Sequence, residues 1–238
     1  MAREESEDRV MLSQELLLSV AEELKLPLLQ IVRQAELGQL NSQPDLKKIQ
    51  SSADSALRLL DNYVLGVKLA MTSSRLDDES VSVSSVLYDA GQQLDTLAKN
   101  YGVGLQLEIA GRFGTVIAHR QGLQAALVSL GAALIEALPA QDNPQLKLYM
   151  ATHRSRYGIV AGLYADTRQL TKDALERGRK LQSSCRQPLL NLTHTSGAGI
   201  FVADSILRAM DLHLIASRHH RLYGLGTVLQ PNHQLQLV

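Results

Sequence analysis

Apolar residues recur at intervals of three and four along the first part of this chain, and then the interval changes. Leu17, Val20, Leu24, Leu28, Ile31 and Ala35 line up as one stripe, and Ile49, Ala53, Ala56, Leu60, Val64 and Val67 as a second. That spacing belongs to amphipathic helices with one face to bury. Between the stripes lies "LNSQPD" (40–45), a short polar turn whose Pro44 suits the first turn of a helix. Two long helices joined by so short a turn make an antiparallel hairpin. One hairpin cannot cover both its stripes, whereas two copies paired into a four-helix bundle can. Residues 8–72 are therefore expected to form a dimerisation hairpin. Leu17, Leu24, Leu28, Ile31, Ala56, Leu60 and Val64 are expected in the homodimer interface, with Leu24 and Leu60 near its middle. The competing arrangement is a hairpin that packs on the remainder of its own chain.

After "TSSRLDDES" (72–80) the pattern alternates instead. "VGLQLEIAG", "GTVIAH", "PQLKLYMATH", "YGIVAGLYAD", "LHLIASRH", "GTVLQ" and "HQLQLV" read as strands. Residues 83–100, 120–137 and 196–210 read as helices, the second rich in Ala and Leu. Helices combined with a mostly antiparallel sheet imply a two-layer α+β sandwich over residues 78–238.

Composition narrows the function classes. The chain has 238 residues, of which 45% are hydrophobic, enough for a sizeable core. With no Trp and only two Phe, that core must be aliphatic. Acidic and basic residues balance at 24 each, against a nucleic-acid-binding surface. No run of 18 apolar residues occurs, so no transmembrane helix is expected. The opening "MAREESEDRVMLSQE" is polar and acidic, unlike a secretory signal, and its "EESED" reads as a solvated start. A lone Cys185 permits no internal disulfide and suits a reducing cytoplasm, where it reads as an ordinary thiol. "NLT" at 191–193 matches a glycosylation acceptor, but nothing else points to secretion. His213, His219 and His220 cluster near a strand. Adjacent residues of a strand face opposite ways, and a metal would need further ligands, so the three read as a solvated strand end and no metal is expected.

One stretch resists the simple helical reading. "AEELKLPLLQI" (21–31) carries Pro27 inside a helical pattern, at a cost of about 3 kcal/mol. Either the helix ends there or the proline marks a kink at a working site. The order of hairpin and sandwich, together with this proline, resembles the core of a bacterial sensor histidine kinase over roughly residues 10–236. In that family the first helix carries a box reading His-Glu-Leu-Arg-Thr-Pro-Leu. The matching residues here are Glu22-Glu23-Leu24-Lys25-Leu26-Pro27-Leu28. Pro27 then stands where the family kinks after its phospho-acceptor, and Glu22 stands where the family has the phospho-accepting histidine. A carboxylate is already anionic and repels the γ-phosphate. No histidine occurs in residues 1–118 to replace it.

The resemblance implies an ATP-binding domain of the histidine kinase type, and it also locates what that domain lacks. The family box Asn-Leu-x-x-Asn-Ala falls on "SLGAAL", placing Ser129 and Ala133 at the two asparagines. A methyl cannot ligate Mg²⁺, which requires oxygen. The box Asp-x-Gly-x-Gly falls on "DTRQL", keeping Asp166 but putting Arg168 and Leu170 at the glycines. Residues 171–195 contain no Phe for the family's lid. "TSGAGI" retains Gly197 and Gly199 with Thr195 in place of the first glycine, and "GLGT" (224–227) matches the family's final turn. Burial of Asp166 against Arg168 as an ion pair competes with its contacting a purine. For Gly197 and Gly199, close helix packing is favoured over phosphate binding. The expectation is a pseudo-histidine kinase with no cofactor and no catalysis. It would act as a dimeric scaffold or regulator in two-component signalling, with a response regulator or kinase as partner. The alternative is a nucleotide-binding sensor or enzyme with a remodelled site built on Asp166, Gly197 and Gly199.

Overall fold

The computed structural model describes residues 24–25, 27–40, 45–72, 75–109, 113–137, 147–165 and 197–232. Backbone at 24–25 and through 27–40 is helical (α1), so described helix lies on both sides of Pro27, which is buried. The second helix, α2 (Leu46–Thr72), carries two different faces. Leu59, Tyr63 and Leu69 are buried. Gly66 lies between them on the same side, so close to the sandwich that an added Cβ would meet Val202 Cγ1 at 2.8 Å. Leu57, Leu60 and Val64 follow the other side and are 59, 37 and 50% exposed.

One face of α2 packs on its own chain, and the other remains uncovered. On α1, Leu28, Leu29 and Val32 are likewise about half exposed. Two residues expected in the dimer seam are covered within the single chain. Ala56 is 7% exposed in the single chain and has little surface left to offer. Leu24 packs against the chain's own core. Ile31 is half-buried, and Leu17 lies outside the described residues. A side-chain bond from Asn100 Nδ2 to Gln30 Oε1 (2.7 Å) ties α1 to the sandwich.

Beyond Arg75 the elements run β1 (Glu79–Val81), α3 (Val83–Asn100), β2 (Gly104–Ile109), β3 (Val116–Ala118) and α4 (Arg120–Ala137). Then follow β4 (Lys147–Ser155), β5 (Gly158–Ala165), α5 (Gly197–Arg208), β6 (Leu214–His219) and β7 (Leu222–Leu229). A five-stranded sheet has the order β2-β4-β5-β7-β6. Only β2–β4 is parallel, and the other three pairings are antiparallel. β1 and β3 form a separate antiparallel pair. β3 lies within the "GTVIAH" read as a strand, whereas β1, at three residues, is too short for an alternation signal and was not foreseen. The strand expected at 233–238 lies outside the described residues.

Core formation follows the patterning. From β4, β5, β6 and β7, alternate residues (Leu148 and Met150; Ala161, Leu163 and Ala165; Leu214; Leu225 and Leu229) join one cluster with α3, α4 and α5. Every residue of α4 from Ala126 to Ile135 is buried, as an all-round apolar helix requires. Its first turn is held by His119 Nδ1, which accepts from the Gly122 amide at 3.0 Å. Arg120 reaches α3, donating to Asp89 at 2.7 Å and Ser85 at 2.9 Å. One expectation fails here. "GLGT" is not a turn but the middle of β7, between β5 and β6. Gly226 is needed there because a Cβ would lie 2.6 Å from the Ala161 carbonyl oxygen.

Candidate functional site

The nucleotide-box residues that are described meet at a helix–helix seam. Ser129 and Ala133 are one turn apart on α4 and both buried. Gly197 opens α5, and Gly199 follows two residues later. A Cβ on Gly199 would stand 2.7 Å from the Ser129 carbonyl oxygen and 2.9 Å from the Ala133 Cβ. The glycine thus fits α5 directly against α4, with backbone close to backbone. Ser129 Oγ is buried without a hydrogen-bond partner among the described residues. Chain order would place Asp166 immediately after β5, but Asp166, Arg168, Leu170, Glu22 and Cys185 lie outside the described residues.

A second constellation occupies the sheet face away from the helices. His153 (β4), Tyr164 (β5) and His219 (β6) all alternate with core residues and so point outward. His153 stacks on His219 with centroids 5.4 Å apart and planes at 28°. Tyr164 tilts against both, at 6.0 and 5.4 Å. Glu108 comes from β2, at the opposite edge from β6, yet its Oε2 lies 2.9 Å from His219 Nε2. The outer face must therefore be concave. His219 is buried rather than solvated, and His220 does not face away from it. His220 is in the β6–β7 turn at φ +53°, and its ring sits edge-on to His219 at 4.3 Å. A turn residue in the left-handed region does not follow strand alternation. His213, by contrast, is exposed. Sequence reasoning missed Glu108, His153 and Tyr164 because only the strand register joins them. Their one visible signal was an outward position on an alternating strand.

Burial perturbs two groups here. It lowers the His153 pKa, as do the neighbouring charges of His219 and His220. It raises Tyr164 to about 12, with the hydrogen bond to Ser217 pulling the other way. Tyr164 should thus stabilise the fold fully below pH 10, and lose that contribution between 10 and about 12, as the unfolded phenol ionises first. Ultraviolet titration of the native protein should show one phenol ionising late, and Tyr164→Phe should remove it. If every phenol titrated together near 10, the buried placement would be wrong.

No family model matches the sequence, and no curated protein matches it. Solved structures do resemble the fold. Histidine kinase AdeS of Acinetobacter baumannii aligns at a TM-score of 0.51 and 13% identity, over 88% of this chain and 98% of the solved AdeS chain. A bacterial phosphotransferase aligns at 0.50 and 13%, over 92% of this chain and 96% of its own. Full-length ShkA, in complex with AMPPNP, aligns at 0.53 and 11%, over 92% of this chain and 46% of ShkA. The chain has a histidine-kinase-like fold. Among the described residues no helix is long and apolar enough to cross a membrane.

Proposed function

We propose that the chain is a non-catalytic, dimeric regulator of two-component signalling, a pseudo-histidine kinase that binds a response regulator or kinase through its hairpin. The observation that carries this reading is the closed seam at Gly199. Where a phosphate-cradling glycine would face ligand, α5 lies on the Ser129 carbonyl and Ala133 methyl of α4. The sequence supports it independently: Glu22 replaces the phospho-acceptor, and Ala133 offers no oxygen to Mg²⁺. The exposed faces of α1 and α2 supply the surface for self-association.

Calorimetry with Mg-ATP should give no saturable heat at submillimolar nucleotide, and γ-labelled ATP should leave no label on the chain. Saturable binding without label would favour the second reading, a nucleotide sensor. That reading draws on the retained Asp166 and on the buried, unpartnered Ser129 Oγ. Label on the chain would sink the non-catalytic reading and favour an enzyme with a remodelled site.

A further inference from the structure

We propose that Glu108, His219 and His220 bind a divalent first-row transition metal of the zinc class on the concave outer face of the sheet. Their ligand atoms, one carboxylate oxygen and two imidazole nitrogens, all lie within 4.8 Å of one another. Two histidines and a carboxylate are a donor set suited to Zn²⁺, which needs three or four ligands at about 2.0–2.2 Å. Tetrahedral ligands at that radius stand about 3.3 Å apart. Glu108 Oε2 and His219 Nε2 at 2.9 Å are already close to that separation, and need only part slightly to admit an ion. His220 has further to travel, but it is exposed in a turn, with its ring already edge-on to His219.

Two other features favour the site. The two-residue β6–β7 turn puts His220 at positive φ, as tight hairpin turns require, and so brings a second imidazole to the side His219 occupies. Behind His219, His153 is stacked in place, and its Nδ1 is buried with no hydrogen-bond partner among the described residues. A buried polar atom without a partner is costly, and a bound ion with its coordinated water would offer one. His153 is therefore assigned as a positioning residue that fixes the His219 ring. An ion held here would clamp β2 to the β6–β7 turn and so join the two edges of the sheet. The further ligand that the histidine cluster lacked in sequence comes from β2, more than a hundred residues earlier.

The test uses untagged, chelator-treated protein titrated with Zn²⁺ by calorimetry, and with Co²⁺ by visible absorption. One saturable site per chain is expected, with micromolar or tighter affinity, tetrahedral Co²⁺ bands and a raised Tm on Zn²⁺ addition. Because His219 is buried, the decisive variants are His220→Ala at the exposed turn and Glu108→Gln. Each should weaken Zn²⁺ at least tenfold while melting like wild type without metal. His213→Ala should change nothing. The proposal is overturned by the absence of saturable binding. It is equally overturned if His213→Ala weakens binding as much as His220→Ala does, which would mark scattered surface imidazoles.

Discussion

The double variant Leu60→Glu, Val64→Glu is expected to turn a dimer into folded monomers. Both side chains lie on the uncovered face of α2, 37 and 50% exposed, so within one chain glutamate at either position can reach water. In a paired bundle the same positions enter an apolar seam, and each dimer would bury four unpaired carboxylates. A buried unpaired charge costs several kcal/mol. A total penalty above about 5 kcal/mol weakens association several-thousand-fold. Sedimentation or light scattering at micromolar concentration should show the mass halve while the thermal transition of the sandwich persists. Leu59→Glu, one residue away, is the contrast. Leu59 is 5% exposed and belongs to the core, so that variant should unfold the chain rather than dissociate it. A wild type that is already monomeric would remove the bundle, and the partner surface proposed with it.

Gly199→Val should destabilise the protein by about 2–4 kcal/mol, a fall in Tm of roughly 5–15 °C for a chain of this size. The reason is what the new side chain meets. Its Cβ lands 2.7 Å from a backbone carbonyl on α4, which cannot rotate aside as a side chain would. The helices must separate, and the contacts of the buried residues Ile200 and Ala203 are disturbed with them. Gly114→Ala gives the control, since nothing lies within 4 Å of that position and its stability should be unchanged. A valine variant that melts like wild type would mean that α4 and α5 leave room at this point, which is the room a nucleotide phosphate would need.

The sandwich was largely legible in the sequence because its signals are local. Period-two runs gave β2, β4, β5 and β6, while the run 126–135, apolar apart from Ser129, required a helix buried on all sides, and α4 is one. The hairpin was legible only in part. Both stripes were visible, but periodicity cannot say what covers a stripe. Tyr63 and Gly66 are unremarkable in a list of apolar positions, yet they carry the face that docks on α5. The outer-face cluster was not legible. Glu108 and His219 are 111 residues apart and on opposite edges of the sheet, and no spacing rule joins residues whose meeting depends on sheet curvature. Alternation also misplaced His220, because a left-handed turn residue falls outside it.

The Gly66–Val202 contact makes a single lever of two helices that chain order puts far apart. With Val202 Cα only 3.1 Å from where a Cβ on Gly66 would stand, there is no slack at the fulcrum. Any side chain at position 66 would therefore prise α2 away from α5, so the seat of this long helix on the sandwich depends on one residue having no side chain at all.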